Sequence, residues 1–408
     1  TPSNWQRVRL GDMTTSFTKQ TGFDYSDFIK PTLIKEYLPN YIPFIQNKDF
    51  LGHYINYKTD YFIPNEIAIR FPQILLNEKC LLISISGAIG NVAVFNHSQD
   101  AFIGGAIAVL KFKEKKSLDF VMHFLMSASG QKLLLNGVKS SSHKNLTIAD
   151  LRDLLIPLPP LNEQSAIANI LSDLDRYLCA LDALILKKEG VKKALSFELL
   201  SQRKRLKGFN QAWQRVRLGD ICYLKNGFSF KSDLFKNMGI PIIRISNISS
   251  VDNCINTNDL VFYDPILIDN DYILKQGDLI LAMSGATTGK SCLYNLNKIA
   301  YLNQRVGVFR AKTSFCYDFL VQFVFSELFT SRLKLILTAG AQPNISSFDI
   351  EDFEILLPPL DEQIAIANIL SALDHEIISL KNKKRQFENI KKALNHDLMS
   401  AKIRVLEK

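Results

Sequence analysis

The sequence predicts an α+β protein in which two pseudo-symmetric domains of mixed α/β character are joined by two long helices paired as an antiparallel coiled coil. Three observations predict this class. The 408-residue chain is written twice. Each copy begins with short apolar runs separated by glycine, asparagine and proline, the pattern of strands between turns. Each copy ends on leucine and isoleucine at alternating spacings of three and four, the pattern of a coiled-coil seam.

The duplication is explicit. WQRVRLGD at residues 5–12 returns letter for letter at 213–220, an offset of 208. AFIGGAIAVLKF from residue 101 returns as AYLNQRVGVFRA from residue 300, and this offset of 199 then holds along the chain. LPPLNEQSAIANILSDLD at 158–175 matches LPPLDEQIAIANILSALD at 357–374, and KKALSFELLS at 192–201 matches KKALNHDLMS at 391–400. A period of about 200 residues exceeds that of solenoid and propeller repeats and marks a duplicated module. The strings after Pro157 and Pro358 stay nearly the same, whereas 14–79 and 223–275 have drifted apart. One part of each module does the same job twice, and the other part does two different jobs.

In chain order, residues 1–156 are the first mixed domain, with strand-length apolar runs at 41–45, 81–85, 92–95 and 107–112 and a helix expected over 118–135. Residues 157–206 are the first helical region, with Asn162 as N-cap and a seam through Leu171, Leu174, Leu178, Leu181 and Ile185. Residues 207–212 are a joint, and 213–356 repeat the mixed domain. Residues 357–408 are the second helical region, with Asp361 as N-cap and Leu370, Leu373, Ile377, Leu380 and Phe387 on the seam, continued by Leu394 and Leu398. A helix of about 40 residues is about 60 Å long. Two such seams cannot stay in water, so the helices are expected to pair antiparallel, with a domain at each end of one rod.

At 47% hydrophobic and 22% charged residues the chain is globular, which excludes disordered and collagenous classes. Lys and Arg total 49 against 40 Asp and Glu, and the net charge of +9 favours a polyanionic partner. The six cysteines form no C-x-x-C pair and no cluster with histidine, so no zinc ribbon or thioredoxin-like motif is written, and they read as reduced thiols. There is no basic segment leading into an apolar signal and no run of about 18 apolar residues, so the chain is expected to be cytoplasmic, with no membrane partner. The missing initial methionine suggests a trimmed start.

WQRVRLGD and its copy, ISGAIGNV at 85–92 with MSGATTGK at 283–290, and the duplicated LPPL-x-EQ strings together resemble the specificity subunit of a type I restriction-modification enzyme. The resemblance spans both mixed domains and both helices. It implies a non-catalytic subunit that binds double-stranded DNA, with two target recognition domains that each read one half of a bipartite asymmetric target. It also implies helices that set the gap between halves and dock two methyltransferase subunits, with restriction (translocase-nuclease) subunits in the larger complex. No cofactor is implied for this chain; S-adenosylmethionine, ATP and magnesium would belong to the partner subunits.

A search for catalytic signatures agrees with a non-enzyme. GATTGKS at 285–291 has three residues between its glycines where a phosphate-binding loop needs four, and GAIGN at 87–91 lacks the lysine, so both read as tight turns, with Lys290 left as a candidate phosphate contact. No Asn-Pro-Pro-aromatic, H-x-x-x-H, nucleophile-elbow or G-x-G-x-x-G motif is present. His53 and His123 read as ordinary surface or core residues, and no metal site is expected.

Base and phosphate contacts need polar loops at equivalent places in both modules. Lys139, Ser141, Ser142, His143 and Lys144 lie in KSSSHKN at 139–145, and Gln342 and Asn344 lie in its counterpart TAGAQPN at 338–344. Gly104, Gly105 and Ala106 align with Asn303, Gln304 and Arg305, so the second module has base-reading side chains where the first has none. Gln46, Asn47 and Lys48 follow Pro43, and Arg244 and Asn247 follow Pro241. Each group has a plain alternative as a solvated loop. The lysines at 111, 113, 115 and 116, and those on the helices, read equally well as wet faces. Two rival functions remain: a scaffold whose twin domains bind protein rather than DNA, and an enzyme with an unrecognised site.

Overall fold

A computed structural model describes residues 4–20, 22–136, 145–249, 253–339 and 344–405. The chain forms two units, residues 1–181 with 383–408, and residues 182–382.

The first unit contains a four-stranded antiparallel sheet in the order Thr14–Lys19, Ile107–Phe112, Cys80–Ser84, Val92–Phe95. Its central strands are apolar without alternation because both faces are covered. Leu81, Ile83, Ala108 and Leu110 enter one core with the helix Lys115–Met126, while Cys80, Leu82, Ile107 and Val109 enter a second core. That second core is closed by a mixed sheet, Phe62–Pro64, Tyr41–Ile45, Ala101–Ile103, Leu75–Leu76, in which Tyr41–Ile45 and Ala101–Ile103 run parallel. The repeated string at the start of the chain supplies Gln6–Arg9, which pairs with Leu155–Leu158.

The helix expected over 118–135 is two helices, Lys115–Met126 and Ala128–Asn136. Ser127 breaks it: its hydroxyl donates to Phe124 O at 2.6 Å and accepts from Gly130 N at 3.1 Å. A side chain at Gly130 would collide with Phe124 O, so the sharp corner requires glycine there.

The second unit repeats these three sheets in the same strand order. Its antiparallel sheet runs Cys222–Asn226, Val306–Ala311, Leu279–Ala282, Ser291–Leu293, its mixed sheet runs Val261–Tyr263, Ile240–Ile243, Ala300–Leu302, Ile273–Leu274, and Gln214–Arg217 pairs with Glu354–Leu357. The architecture is therefore α+β in both units.

Each long helix has 40 residues, Leu161–Leu200 and Leu360–Met399. Neither Asn162 nor Asp361 is the N-cap, because both helices have already started. The prolines take that role: Pro160 O accepts from Gln164 N at 3.0 Å, and Pro359 O accepts from Gln363 N at 3.0 Å. The Gln side chains reach back to Pro159 O and Pro358 O, each at 2.7 Å, and fix the entry of the chain into the helix.

Helical segments run antiparallel within each unit. In the first, Ile167, Ala168 and Leu171 share a core with Leu398 and Met399, and the ring of Tyr177 lies 4.7 Å from that of Phe387. In the second, Ile366, Ala367 and Leu370 share a core with Leu199 and Leu200. Along the expected seam Leu171, Leu181, Ile185, Leu370 and Ile377 are buried, and Leu174, Leu178, Leu373, Leu380 and Phe387 are half-buried. Among the described residues no helix is long and apolar enough to cross a membrane.

Candidate nucleic-acid interface

In the first unit four polar segments meet at the ends of the strands through hydrogen bonds. Gly104 N donates to Ile45 O at 2.8 Å, which ties the glycine loop to the segment starting at Gln46. Ile85 N donates to Ala106 O at 2.8 Å, and Leu146 N donates to Ile85 O at 2.9 Å. Asn47 Nδ2 donates to Ser86 O at 2.6 Å. Residues 46–48, 85–91, 104–106 and 145–146 thus form one surface, although they are far apart in sequence.

The second unit builds the same surface from different residues. Asn303 N donates to Ile243 O at 3.1 Å, Met283 N to Arg305 O at 3.0 Å, and Ile345 N to Met283 O at 2.9 Å. Thr287 Oγ1 donates to Ile245 O at 3.0 Å, which takes the place of the Asn47 contact.

Gln304, Arg305 and Asn344 are exposed on that surface, and Asn303 and Lys290 are half-buried in it. GATTGKS does not open a helix, as a phosphate-binding loop would; it joins the paired strands Leu279–Ala282 and Ser291–Leu293. Gly285 and Gly289 have φ of 84° and 85°, a conformation that favours glycine and that the turn requires.

Other candidates are placed differently. Asn247 is fully buried: its Oδ1 accepts from Arg244 N at 3.0 Å and its Nδ2 donates to Asn256 O and Asp259 O, both at 3.1 Å. Its amide holds the short turn Ile245–Asn247 together, so in this arrangement it cannot meet a base edge. The sequence alignment hides this, because the first unit fills the same position with buried Asp49, which accepts from Gln46 N at 2.8 Å. Arg244 is half-buried and bound to Asp259 through Nη2 at 2.9 Å. Lys48 is exposed and paired with Asp60, whose hydrogen bond raises the lysine pKa and keeps it charged. Gln46 and Asn47 are half-buried. Lys139, Ser141, Ser142, His143, Lys144 and Gln342 lie outside the described residues.

Sequence reasoning missed a duplicated set of ion pairs where the helices pack. Buried Glu163 takes Arg404 in a two-pronged contact at 2.7 and 2.9 Å, and buried Glu362 takes Arg205 at 3.2 and 2.5 Å. Asp175 pairs with Lys391, and Asp374 with Lys192. The signal was present: each of these residues has its counterpart 199 positions away. The second copy adds Trp213 Nε1, which donates to Glu362 Oε2 at 2.8 Å, whereas Trp5 Nε1 is buried and has no hydrogen-bond partner among the described residues.

Among the described residues no group of three or more His, Cys, Asp or Glu is placed to hold a metal. The fold and its sites define a class: a duplicated recognition protein whose two units carry unlike side chains on equivalent surfaces. Residues 2–188 and 210–389 match the type I restriction modification DNA specificity domain, so the chain belongs to that family. It is 26% identical to the type I restriction enzyme MjaVIII specificity subunit of Methanocaldococcus jannaschii, over 99% of this chain and 94% of that one. It is 27% identical to the EcoKI specificity subunit of Escherichia coli K12 over 47% of this chain and 43% of that one. Its fold is similar to the S subunit of a type I system from M. genitalium, with a TM-score of 0.63 at 16% identity over 97% and 96% of the two chains. It is also similar to a chain from a type I restriction-modification assembly, with a TM-score of 0.55 at 17% identity over 98% of each. As a specificity subunit it carries DNA target recognition domains and is non-catalytic; catalysis lies in other subunits.

Proposed function

We propose that this chain reads a bipartite, asymmetric sequence in duplex DNA, one half with each loop surface. The observation that carries this reading is that one hydrogen-bonded frame is built twice and dressed with different polar side chains. Asn303, Gln304 and Arg305 offer the donors and acceptors that match adenine and guanine edges, while the equivalent Gly104, Gly105 and Ala106 offer none, so the two surfaces read different bases. The near-identical helical regions present one partner surface twice, which fits docking of two methyltransferase subunits, with restriction subunits joining the larger assembly. The continuous helices fix the gap between the half-sites, since major grooves return to one face of B-DNA about every 10 to 10.5 bp. S-adenosylmethionine, ATP and magnesium are bound by the partner subunits, and the complex acts in the cytoplasm, where the chromosome is.

The test is competition binding by the chain together with its methyltransferase partner, at several salt concentrations. Target DNA is expected to outcompete unrelated DNA, and affinity is expected to fall steeply with salt as phosphates are neutralised. Equal affinity for all sequences at physiological salt overturns sequence reading. Binding without salt dependence, or no binding of DNA at all, leaves the twin domains as a protein scaffold.

A further inference from the structure

Gln20 follows the edge strand Thr14–Lys19 and is 3% exposed, yet among the described residues neither its Nε2 nor its Oε1 has a hydrogen-bond partner. Buried amides are satisfied in the great majority of cases, and an orphaned one needs an explanation. Its place supplies one. Oε1 lies 3.5 Å from where a Cβ on Gly105 would sit, and Gly105 is exposed on the loop surface of the first unit. On that side the amide faces a residue without a side chain.

The second unit reverses the arrangement. Lys19 pairs with Ala108, and Asn226 pairs with Gly307, its counterpart 199 positions on. Gln20 therefore corresponds to Gly227, where a Cβ would lie 2.2 Å from Asn303 O. The first unit places an amide just past the edge strand and glycine on the facing loop; the second places glycine just past the edge strand and Asn303, Gln304 and Arg305 on the loop.

We propose that Gln20 is a specificity-determining residue of the first recognition unit, reading an adenine across the gap left by Gly105; this rests on the reading of the loop surfaces as DNA-contacting. An amide presents a donor beside an acceptor, the complement of adenine N7 and N6 in the major groove. The base supplies the partners that the folded chain withholds.

Two variants test it in the full-length chain with its methyltransferase partner, by competition binding against targets changed one base pair at a time. Gln20→Met keeps the size and removes the amide. It is expected to lower discrimination at one position of one half-site by about 5- to 150-fold, to leave every other position as in the wild type, and to melt no lower than the wild type. Gly105→Val is tolerated by the backbone, since its φ lies outside the left-handed region, and it covers the amide from the DNA side; the same single position is expected to relax. Retention of discrimination at every position by either folded variant overturns the proposal, as does a uniform loss over all positions. If Gln20→Met does not fold, Gly105→Val decides alone. A wild-type protein that discriminates nowhere refutes DNA reading itself, a result distinct from a failure of Gln20.

Discussion

His123 and Gln322 occupy equivalent positions 199 residues apart and solve one packing problem in two ways. His123 Nε2 lies 3.0 Å from Ser172 Oγ, whereas Gln322 Nε2 donates to Asp374 Oδ2 at 2.9 Å and to Ser371 Oγ at 3.3 Å. Burial pulls the His123 pKa down from 6.5 to about 3, and the nearby charges of His53 and Lys391 act in the same direction. Between those values the unfolded chain binds a proton that the folded chain refuses. This contribution to stability is therefore complete above pH 6.5 and is lost as pH falls towards 3, at up to about 1.4 kcal/mol per pH unit. His123→Gln, which copies the second unit, is expected to flatten the acid side of the stability profile, seen by thermal unfolding at pH 7.5 and pH 5. His53, whose pKa burial also lowers against the pull of Asp175, retains part of the slope. Equal acid sensitivity of the two proteins contradicts the assignment. At the reading surface, Arg305→Ala is expected to relax one position of one half-site by about 1–3 kcal/mol, measured by the same single-base competition series. A uniform loss over all targets, with a reduced salt slope, makes Arg305 a phosphate contact instead. Asn247 shows the limit of legibility at this scale: a polar residue after a strand reads as exposed, and only the fold reveals that its amide is spent inside the turn.

At the scale of elements, the leucine seam was visible in the sequence because helical spacing is local. The ion pairs were not, because each joins residues far apart in sequence, and Arg205 and Arg404 lie beyond the helix ends. They make a graded prediction. Removing one partner of a buried pair leaves an uncompensated charge and costs about 3–5 kcal/mol. Glu163 has Arg404 as its cationic partner and no help from Trp5, whereas Glu362 also accepts from Trp213. Arg404→Ala is thus expected to cost more than Arg205→Ala, by the roughly 1.5–3 kcal/mol of one hydrogen bond to a charged group. Chemical denaturation of both variants, with Trp213→Phe added to Arg205→Ala, checks the order; the double variant should approach the loss of Arg404→Ala. The break at Ser127 was likewise invisible to periodicity, since apolar spacing continues across it while the Ser127 hydroxyl and Gly130 turn the chain.

At the scale of the whole molecule, the proposed division of labour predicts how targets change. Exchange of residues 213–356 for the equivalent part of another specificity subunit is expected to alter one half of the methylated motif and leave the other half and the gap unchanged. Insertion of seven residues into each long helix, which keeps the heptad frame, lengthens it by about 10 Å, about three base pairs at about 3.4 Å each. Sequencing of methylated adenines in cells carrying each variant reads both outcomes. A gap that ignores the insertion means that the helices do not set it.

Sequence alone determined the duplication, the α+β class, the heptad seam and the family, because these are written as order and spacing along the chain. Tertiary structure decided which polar residues share a surface. Asn47, Ser86, Ala106 and Asn145 come together only through hydrogen bonds between segments distant in sequence, and Gln20 meets Gly105 only through sheet register. The physical reason is that periodicity reports on which face a residue occupies, whereas recognition depends on pairings between strands distant in sequence, and those are set by the packing of both cores at once.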